Sequence, residues 1–398
     1  MSRELSSLET AKLKMLYTNY SPVMFEGAIR EKFEEIYHDI KVGVRDVPYE
    51  VLHDEIVANM MAGGTEYDVF MIDNIWLPEF VEAGWLAEVT EYITPEIKQN
   101  ISPNALKAAE YPPGSERYYG WPWYVDAKYL FYNEKMLSKA GIRAPPTTLA
   151  ELWNQAMVIK NKGILKYPFA WSWAQHECLI CDFTILTALF GGRLVDEAGK
   201  PVFNKGGAVD ALKWMMKTID AGLTSWASLA FKETDVTRIL CTEDAAFTLS
   251  WLPEYEDVNR PEFLAGACKI THIPGRNILP EGISVNGSDL LGISSSSKNK
   301  DAAVEFIKFW TGVDKQKSYA NWLAPSWLRL LDTPKIFRDG IFNILDVVEY
   351  QYKHMITRPR IPKYTVFSKE LQLAIHEALL KLKSPEEALN DAAKRLTT

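Results

Sequence analysis

Short apolar runs alternate with longer amphipathic stripes in the N-terminal part of the chain. Apolar or alternating residues in Leu13–Tyr17, Ile40–Val44 and Asp68–Ile72 predict three strands. Between them, residues at helical spacing in Phe25–Ile36 and Leu52–Met60 predict two helices. Strand–helix–strand–helix–strand within about 80 residues is typical of a parallel sheet covered by helices. The sequence therefore predicts an α/β fold.

Two predicted loops follow the first and third of these strands, at Thr18–Pro22 and Asp73–Trp76. Ligands of open parallel sheets bind beyond the carboxyl ends of the strands, so both loops are expected at one ligand site. Asp73 is either a ligand-binding carboxylate or the N-cap of the next helix. Asn74 can cap equally well, which would leave Asp73 to a ligand.

Length and composition narrow the class of protein. A chain of 398 residues is expected to form two or three domains, and 47% apolar with 24% charged residues is ordinary globular composition. The net charge of −8 disfavours nucleic acid as a partner. No apolar run is long enough to cross a membrane. The 13 tryptophans suit large cores or aromatic surfaces that stack on sugar rings, and composition leaves both open.

The N-terminal segment MSRELSSLETAKLKML contains no continuous apolar stretch and is therefore no signal peptide. Either the protein is cytoplasmic, or Met1 stands in place of a removed signal segment.

Four cysteines are present, and Cys178 and Cys181 have a Cys-x-x-Cys spacing. Buried structural thiols, a disulfide and a metal site are all compatible with this spacing, although zinc would need two further ligands. Nucleotide-binding, zinc-protease and serine-hydrolase motifs are all missing. The sequence predicts no catalytic residue, no cofactor and no metal, although carboxylates are numerous enough to leave glycoside-hydrolysing chemistry open.

The stretch Tyr118–Ala156 carries the most specific wording of the chain. An aromatic cluster leads into the predicted strand Tyr129–Asn133 and a short helix ended by Gly141, and Thr148 with Glu151 then forms a predicted capping box. This stretch resembles the Pro-x-x-x-Asp-x-x-x-Leu-x-Tyr-Asn … Pro-Pro-Thr-Thr-x-x-Glu-Leu segment of family 1 solute-binding proteins. These are the carbohydrate-binding proteins of ABC importers, related to maltose- and trehalose-binding proteins.

Further segments resemble the same family in the same order, from about Lys12 to Leu396. They are Asp68–Gly84, Gly191–Asn204, Ala245–Trp251, Gly287–Ser294, Lys298–Trp310 and Arg358–Tyr364. The chain departs from the family pattern at Ser250 and Trp251, where members have Asn-Gly, and at Pro253, where a tryptophan is usual. Ser368 replaces a ligand-stacking tryptophan, which disfavours a long malto-oligosaccharide.

The resemblance implies the two-lobe, type II-like fold of periplasmic binding proteins, with a mostly parallel sheet flanked by helices in each lobe. It places the N-terminal lobe at 2–121 plus 290–323 and the C-terminal lobe at 123–285 plus 327–398. Three hinge crossovers are expected near 118–126, 285–292 and 322–328, and hinge closure would enclose the ligand.

The resemblance further implies a neutral sugar or polyol as ligand, bound in a cleft between the lobes, and no enzymatic activity. Aromatic faces would supply contact area, and Asp73, Asp126 and Asp289 would accept hydroxyl protons while ionised. The full set of expected ligand-binding residues is Asn19, Tyr20, Asp73, Asn74, Trp123, Tyr124, Asp126, Trp171, Trp173, Ser250, Trp251, Ser288, Asp289, Arg358 and Tyr364.

The expected partners are the ligand and the membrane permease subunits of an ABC importer, and the expected state is a monomer outside the cytoplasm, in the periplasm or at the cell surface. Two alternatives stay open. A glycoside-processing enzyme would show turnover. A binding protein for a polyamine would have an acidic cleft, and one for a phosphorylated polyol would direct Arg276 or Arg358 inward.

Overall fold

The structure is a computed structural model that describes residues 11–18, 25–276, 282–320, 324–331 and 344–397. The chain forms two compact units, each built from two separate stretches of sequence. The first unit comprises Met1–Val125 and Ser288–Ile336, and the second comprises Asp126–Gly287 and Phe337–Thr398. Trp123 therefore lies in the first unit, although the sequence analysis places it in the second lobe. The crossover positions stay predictions, and part of the third falls outside the described residues.

The first unit combines a sheet with helices from both of its stretches. Its strands are β1 (Ala11–Tyr17), β2 (Ile40–Asp46), β3 (Val69–Asp73), β4 (Trp121–Pro122) and β9 (Asp289–Ile293). Its helices are α1 (Phe25–Ile36), α2 (Tyr49–Met61), α3 (Leu77–Glu82), α4 (Pro95–Asn100), α5 (Pro103–Ala109), α12 (Lys300–Trp310), α13 (Val313–Tyr319) and α14 (Leu328–Leu331).

The sheet of the first unit has the order β2-β1-β3-β9-β4. The predicted parallel arrangement is found for β1, which pairs in parallel with β2 and β3. Strand β9 runs antiparallel to both β3 and β4, so half of the sheet departs from the predicted parallel pattern. The register of β3 and β9 places Asp73 directly opposite Asp289.

The second unit contains more helix than sheet. Its strands are β5 (Lys128–Asn133), β6 (Phe247–Trp251), β7 (Cys268–Thr271), β8 (Ser284–Val285) and β10 (Met355–Ile356). Its helices are α6 (Glu134–Ala140), α7 (Leu149–Asn161), α8 (Glu177–Leu189), α9 (Gly207–Asp220), α10 (Glu233–Cys241), α11 (Pro253–Val258), α15 (Leu345–Lys353), α16 (Tyr364–Leu379) and α17 (Pro385–Thr397).

The prediction of a mostly parallel sheet is wrong for the second unit. Strand β5 lies between β6 and β7 and runs antiparallel to both. Only the short ladder of β8 and β10 is parallel among the described strands of this unit. The apolar run of β5 (KYLFYN) is buried on both faces, which predicts a central strand but leaves its direction open, because burial is independent of which way a neighbour runs.

A membrane-crossing helix is absent from the described part of the chain, since none of its helices combines the required length with the required hydropathy.

Candidate functional site

Asp73 ends β3 in the first unit and is almost completely buried. Its Oδ2 accepts a hydrogen bond of 2.7 Å from the Tyr49 hydroxyl, and its Oδ1 accepts one of 3.3 Å from the Ile75 amide. The ring of Tyr49 stacks on that of Trp76 at a centroid distance of 5.3 Å. Trp76 is the N-cap of α3, so Asp73 does not cap this helix. The carboxylate is instead held at the strand end by a tyrosine hydroxyl.

Three further predicted residues, Asn74, Tyr124 and Ser288, lie next to Asp73 or its register partner Asp289. Asn74 is fully buried, and its Nδ2 donates a 2.9 Å hydrogen bond to the Ser288 carbonyl oxygen. The Tyr124 hydroxyl donates a hydrogen bond to Oδ2 of Asp289. Two carboxylates, each paired with a tyrosine hydroxyl, therefore lie on adjacent antiparallel strands.

Trp123 is also buried and contributes ring packing. Its indole meets Tyr124 edge to face at 5.1 Å and Trp310 at 5.8 Å. Gln316 donates a 2.6 Å hydrogen bond to its carbonyl oxygen, which fixes the backbone at this point. Asn19 and Tyr20 fall outside the described residues.

The second unit contains a buried ionic cluster that the sequence analysis did not predict. The ammonium of Lys128, at the start of β5, lies 2.8 Å from Asp182 Oδ1 and 3.2 Å from Glu233 Oε1. Trp251 completes the cluster, because its Nε1 donates a 2.6 Å hydrogen bond to Glu233 Oε1. The Lys128 ammonium also lies 5.3 Å from the centroid of the Trp251 ring. The signal was present in the sequence as single charges in the apolar runs of β5 and α8.

Opposing effects act on the charges of this cluster. Burial disfavours ionisation of Glu233, but Lys128 and the indole N–H of Trp251 outweigh burial and lower the pKa of Glu233. Burial raises the pKa of Asp182, and Lys128 opposes that shift. For Lys128 the two carboxylates outweigh burial and raise its pKa. One cation and two anions are therefore enclosed together at neutral pH.

Trp251 ends β6 and remains partly exposed. A Cβ added to Gly287 would lie 2.7 Å from Cη2 of this ring, so only glycine allows the backbone to approach the indole this closely. Together with the bond to Glu233, this contact defines the orientation of the ring. Ser250, the preceding residue, is buried.

Asp126 differs from its expected state. Its Oδ1 accepts a 2.8 Å hydrogen bond from the Ala127 amide, yet burial, reinforced by the negative charges of Glu233 and Glu254, raises the pKa of Asp126 to about 8. The expectation that Asp126 is ionised at neutral pH is therefore wrong. Its carboxyl group is protonated there and can donate a hydrogen bond.

Residues 23–317 match the protein family described as bacterial extracellular solute-binding protein, and the match spans about three quarters of the chain. The chain belongs to this family. The predicted resemblance is thereby confirmed, as is the prediction of a binding protein that is not an enzyme.

This solute-binding protein is similar to maltose-bound MalE3 of T. maritima, with 28% identity, a TM-score of 0.88 and coverage of 97% of this chain and 99% of that one. It is also similar to the tagatose-bound solute-binding protein of an ABC transporter from Thermotoga lettingae, with 24% identity, a TM-score of 0.85 and coverage of 97% and 98%. A maltotriose-binding protein of Pyrococcus abyssi is 26% identical over 81% of this chain and 67% of its own length. The chain thus has the α/β fold of periplasmic binding proteins.

Two other predicted aromatic residues of this solute-binding protein lie in the interior of the second unit. Trp171 and Trp173 are 3% and 1% exposed and stack on each other at 5.9 Å. Trp171 donates a 3.1 Å hydrogen bond to Thr224 Oγ1, and His376 Nε2 lies 2.6 Å from the Trp173 carbonyl oxygen. This packing supports a core role for both rings, and their predicted contact with a ligand stays a prediction.

Arg358 and Tyr364 converge on the carboxylate of Glu177. Arg358 Nη1 donates a 2.9 Å hydrogen bond to Oε1, which also accepts one from the Tyr364 hydroxyl. Ser368 donates a 2.6 Å hydrogen bond to Oε2. Arg358 and Tyr364 belong to the predicted ligand-binding set. Sequence reasoning missed Glu177, because its position at the start of α8 gave no sign of these partners.

All four cysteines have free thiols, and Cys178 and Cys181 are buried. Burial raises the pKa of both, so the structure favours the structural thiols among the alternatives that the sequence left open. Three potential metal ligands lie close together, with one donor atom each from His176, Cys178 and Glu233 within 4.8 Å of one another. Transition metals bind nitrogen, sulfur and oxygen donors of these types. Lys128 already faces Glu233, so a metal ion would have to overcome its charge.

Proposed function

We propose that this solute-binding protein binds a neutral sugar or polyol, of one to a few rings, and delivers it to the permease subunits of an ABC importer. The observation that carries this proposal is the indole of Trp251, which is partly exposed at a strand end and oriented by Glu233. Sugar rings present apolar C–H faces, and a fixed aromatic ring is a matching surface.

The predicted ligand-binding set also contains polar residues from each unit. Asp73 and Asp289 offer carboxylate oxygens to sugar hydroxyls, and charge-assisted hydrogen bonds of this kind are about twice as strong as neutral ones. Protonated Asp126 supplies a donor, which carboxylates alone cannot provide. The remaining predicted residues, Asn19 and Tyr20 included, and the position of the ligand between the lobes stay predictions.

The relatives support the ligand class. MalE3 of T. maritima has maltose bound, and the relative from P. abyssi is a maltotriose-binding protein. Because the family is described as extracellular, we further propose the periplasm or the cell surface as the location.

A calorimetric screen over mono-, di- and oligosaccharides and polyols tests the proposal, and Trp251→Ala tests the site. We expect one compound class to bind and the variant to weaken its binding by about 1–3 kcal/mol, because a stacking surface is lost. Trp226→Ala is the matched control, since Trp226 is 48% exposed in the same unit.

Trp251→Phe keeps an aromatic face without the indole N–H and should fall between the wild type and Trp251→Ala. Absence of binding over the whole panel would contradict the function. Full affinity in a folded Trp251→Ala variant would contradict the site.

A further inference from the structure

A second feature of the second unit is a cavity of about 270 Å³ beside helix α8. Its lining comes from three segments: residues 184–188 of α8, the following segment 192–195, and residues 356–360. It shares no residue with the cluster of Lys128, Glu233 and Trp251. Three arginines line it, Arg193, Arg358 and Arg360, and no aspartate or glutamate does.

The arginines of this cavity differ in whether a carboxylate neutralises their charge. Arg358 is buried and paired with Glu177, which does not line the cavity. Arg193 is exposed and forms no ion pair with any described residue. The wall of this cavity is therefore positively charged in a chain whose net charge is −8.

We propose that this cavity binds an oxyanion group, a phosphate, sulfate or carboxylate, carried by a small solute. Guanidinium groups match the paired oxygens of such anions in geometry and charge. The cavity volume far exceeds the space that one water needs, so it accommodates an organic body beside the anion. The cavity carries this inference independently of the neutral-sugar site.

The experiment is calorimetric titration of the full chain at constant ionic strength with glucose 6-phosphate, glucuronate, glucose, inorganic phosphate and sulfate. We expect the anionic compounds to bind, and Arg193→Gln and Arg360→Gln each to weaken that binding about tenfold, because one charge-assisted contact is lost. Arg143→Gln is the matched control, because Arg143 is exposed in the same unit and outside this cavity.

Each possible result supports or contradicts the proposal. Tighter binding of the sugar derivatives than of inorganic phosphate would identify the ligand as an organic anion. Equal affinities would identify a free oxyanion and contradict the inference that the cavity holds an organic group beside it. The site is overturned if no anion binds, or if the Arg143→Gln variant loses as much affinity as the cavity variants. Neutral-sugar binding through Trp251 should be the same in the three arginine variants, so failure of one proposal is separable from failure of the other.

Discussion

At the scale of residues, the second unit contains ionisable side chains that are buried in apolar surroundings. Lys128 lies in a mostly apolar strand and Asp182 in a mostly apolar helix, and each charge is enclosed with the other. Removing one partner of a buried ion pair leaves an uncompensated charge, so such groups are retained together. Asp126 shows the other solution, because a buried carboxyl without a cation remains protonated.

The protonated state of Asp126 predicts a pH dependence of stability. A carboxyl whose pKa rises on folding from 3.8 to about 8 binds a proton that the unfolded chain has released, so stability falls as pH rises through this window. Compared with Asp126→Asn, the wild type should lose about 1.4 kcal/mol of unfolding free energy per pH unit between pH 5 and 7. Urea denaturation at several pH values measures it. Asp210→Asn, at an exposed position, should keep the wild-type slope; parallel curves for wild type and Asp126→Asn would refute the protonated state.

At the scale of elements, local signals predicted helix ends well and inward faces less well. Gly141 ends α6 with φ 74°, and Thr148 caps α7, both as predicted. Ile36 ends the predicted apolar stripe Phe25–Ile36 and Leu382 follows helix α16, yet these side chains are 63% and 72% exposed. The first is the last residue of α1, and the second lies beyond the end of α16, after Lys381 with φ 60°. Helical periodicity therefore predicts the burial of a side chain only within the helix and not at or beyond its last residue.

The cap of α7 predicts a measurable contribution. Thr148 Oγ1 accepts a 3.1 Å hydrogen bond from the Glu151 amide, and the Glu151 carboxylate accepts a 2.8 Å bond from the Thr147 amide. Thr148→Ala should lower the unfolding free energy by about 1 kcal/mol, because an amide at the helix start loses its acceptor. Chemical denaturation measures the loss. Thr148→Ser preserves the acceptor and should restore most of the stability; a serine variant as unstable as the alanine variant would show that the hydroxyl is not responsible.

At the scale of the whole molecule, the chain forms two units, each assembled from separate stretches of sequence, and closure of these units about a hinge is a prediction. A ligand that contacts both lobes favours the closed state only through its differential affinity for that state.

Closure is tested by small-angle scattering of the full chain with and without the saturating sugar identified in the screen. We expect a smaller radius of gyration with ligand. Trp251→Ala at the same ligand concentration serves as the control and should show a smaller change in proportion to its occupancy. An unchanged radius despite binding proven by calorimetry would argue against hinge closure.

The sequence by itself determined several strands and helices, such as β1, β3 and α2, and the α/β fold class. It also determined where α6 ends and where α7 begins. These features depend on neighbours two to four residues apart, and such neighbours are present in the local pattern. The family resemblance also predicted Asp73, which ends β3, and Asp289, which begins β9, as ligand-binding residues.

Only the tertiary structure decided the partners. The antiparallel direction of β5 and the meeting of Lys128 with Asp182 and Glu233 join residues that lie far apart in sequence. The cavity beside Thr187 likewise depends on a segment that follows much later in the chain. A periodic pattern of apolar residues predicts that a face is buried but does not identify the segments that cover it. The pKa of Asp126 depends on those segments. Charge states and binding sites of this kind arise from packing between distant segments, which the order of residues alone does not specify.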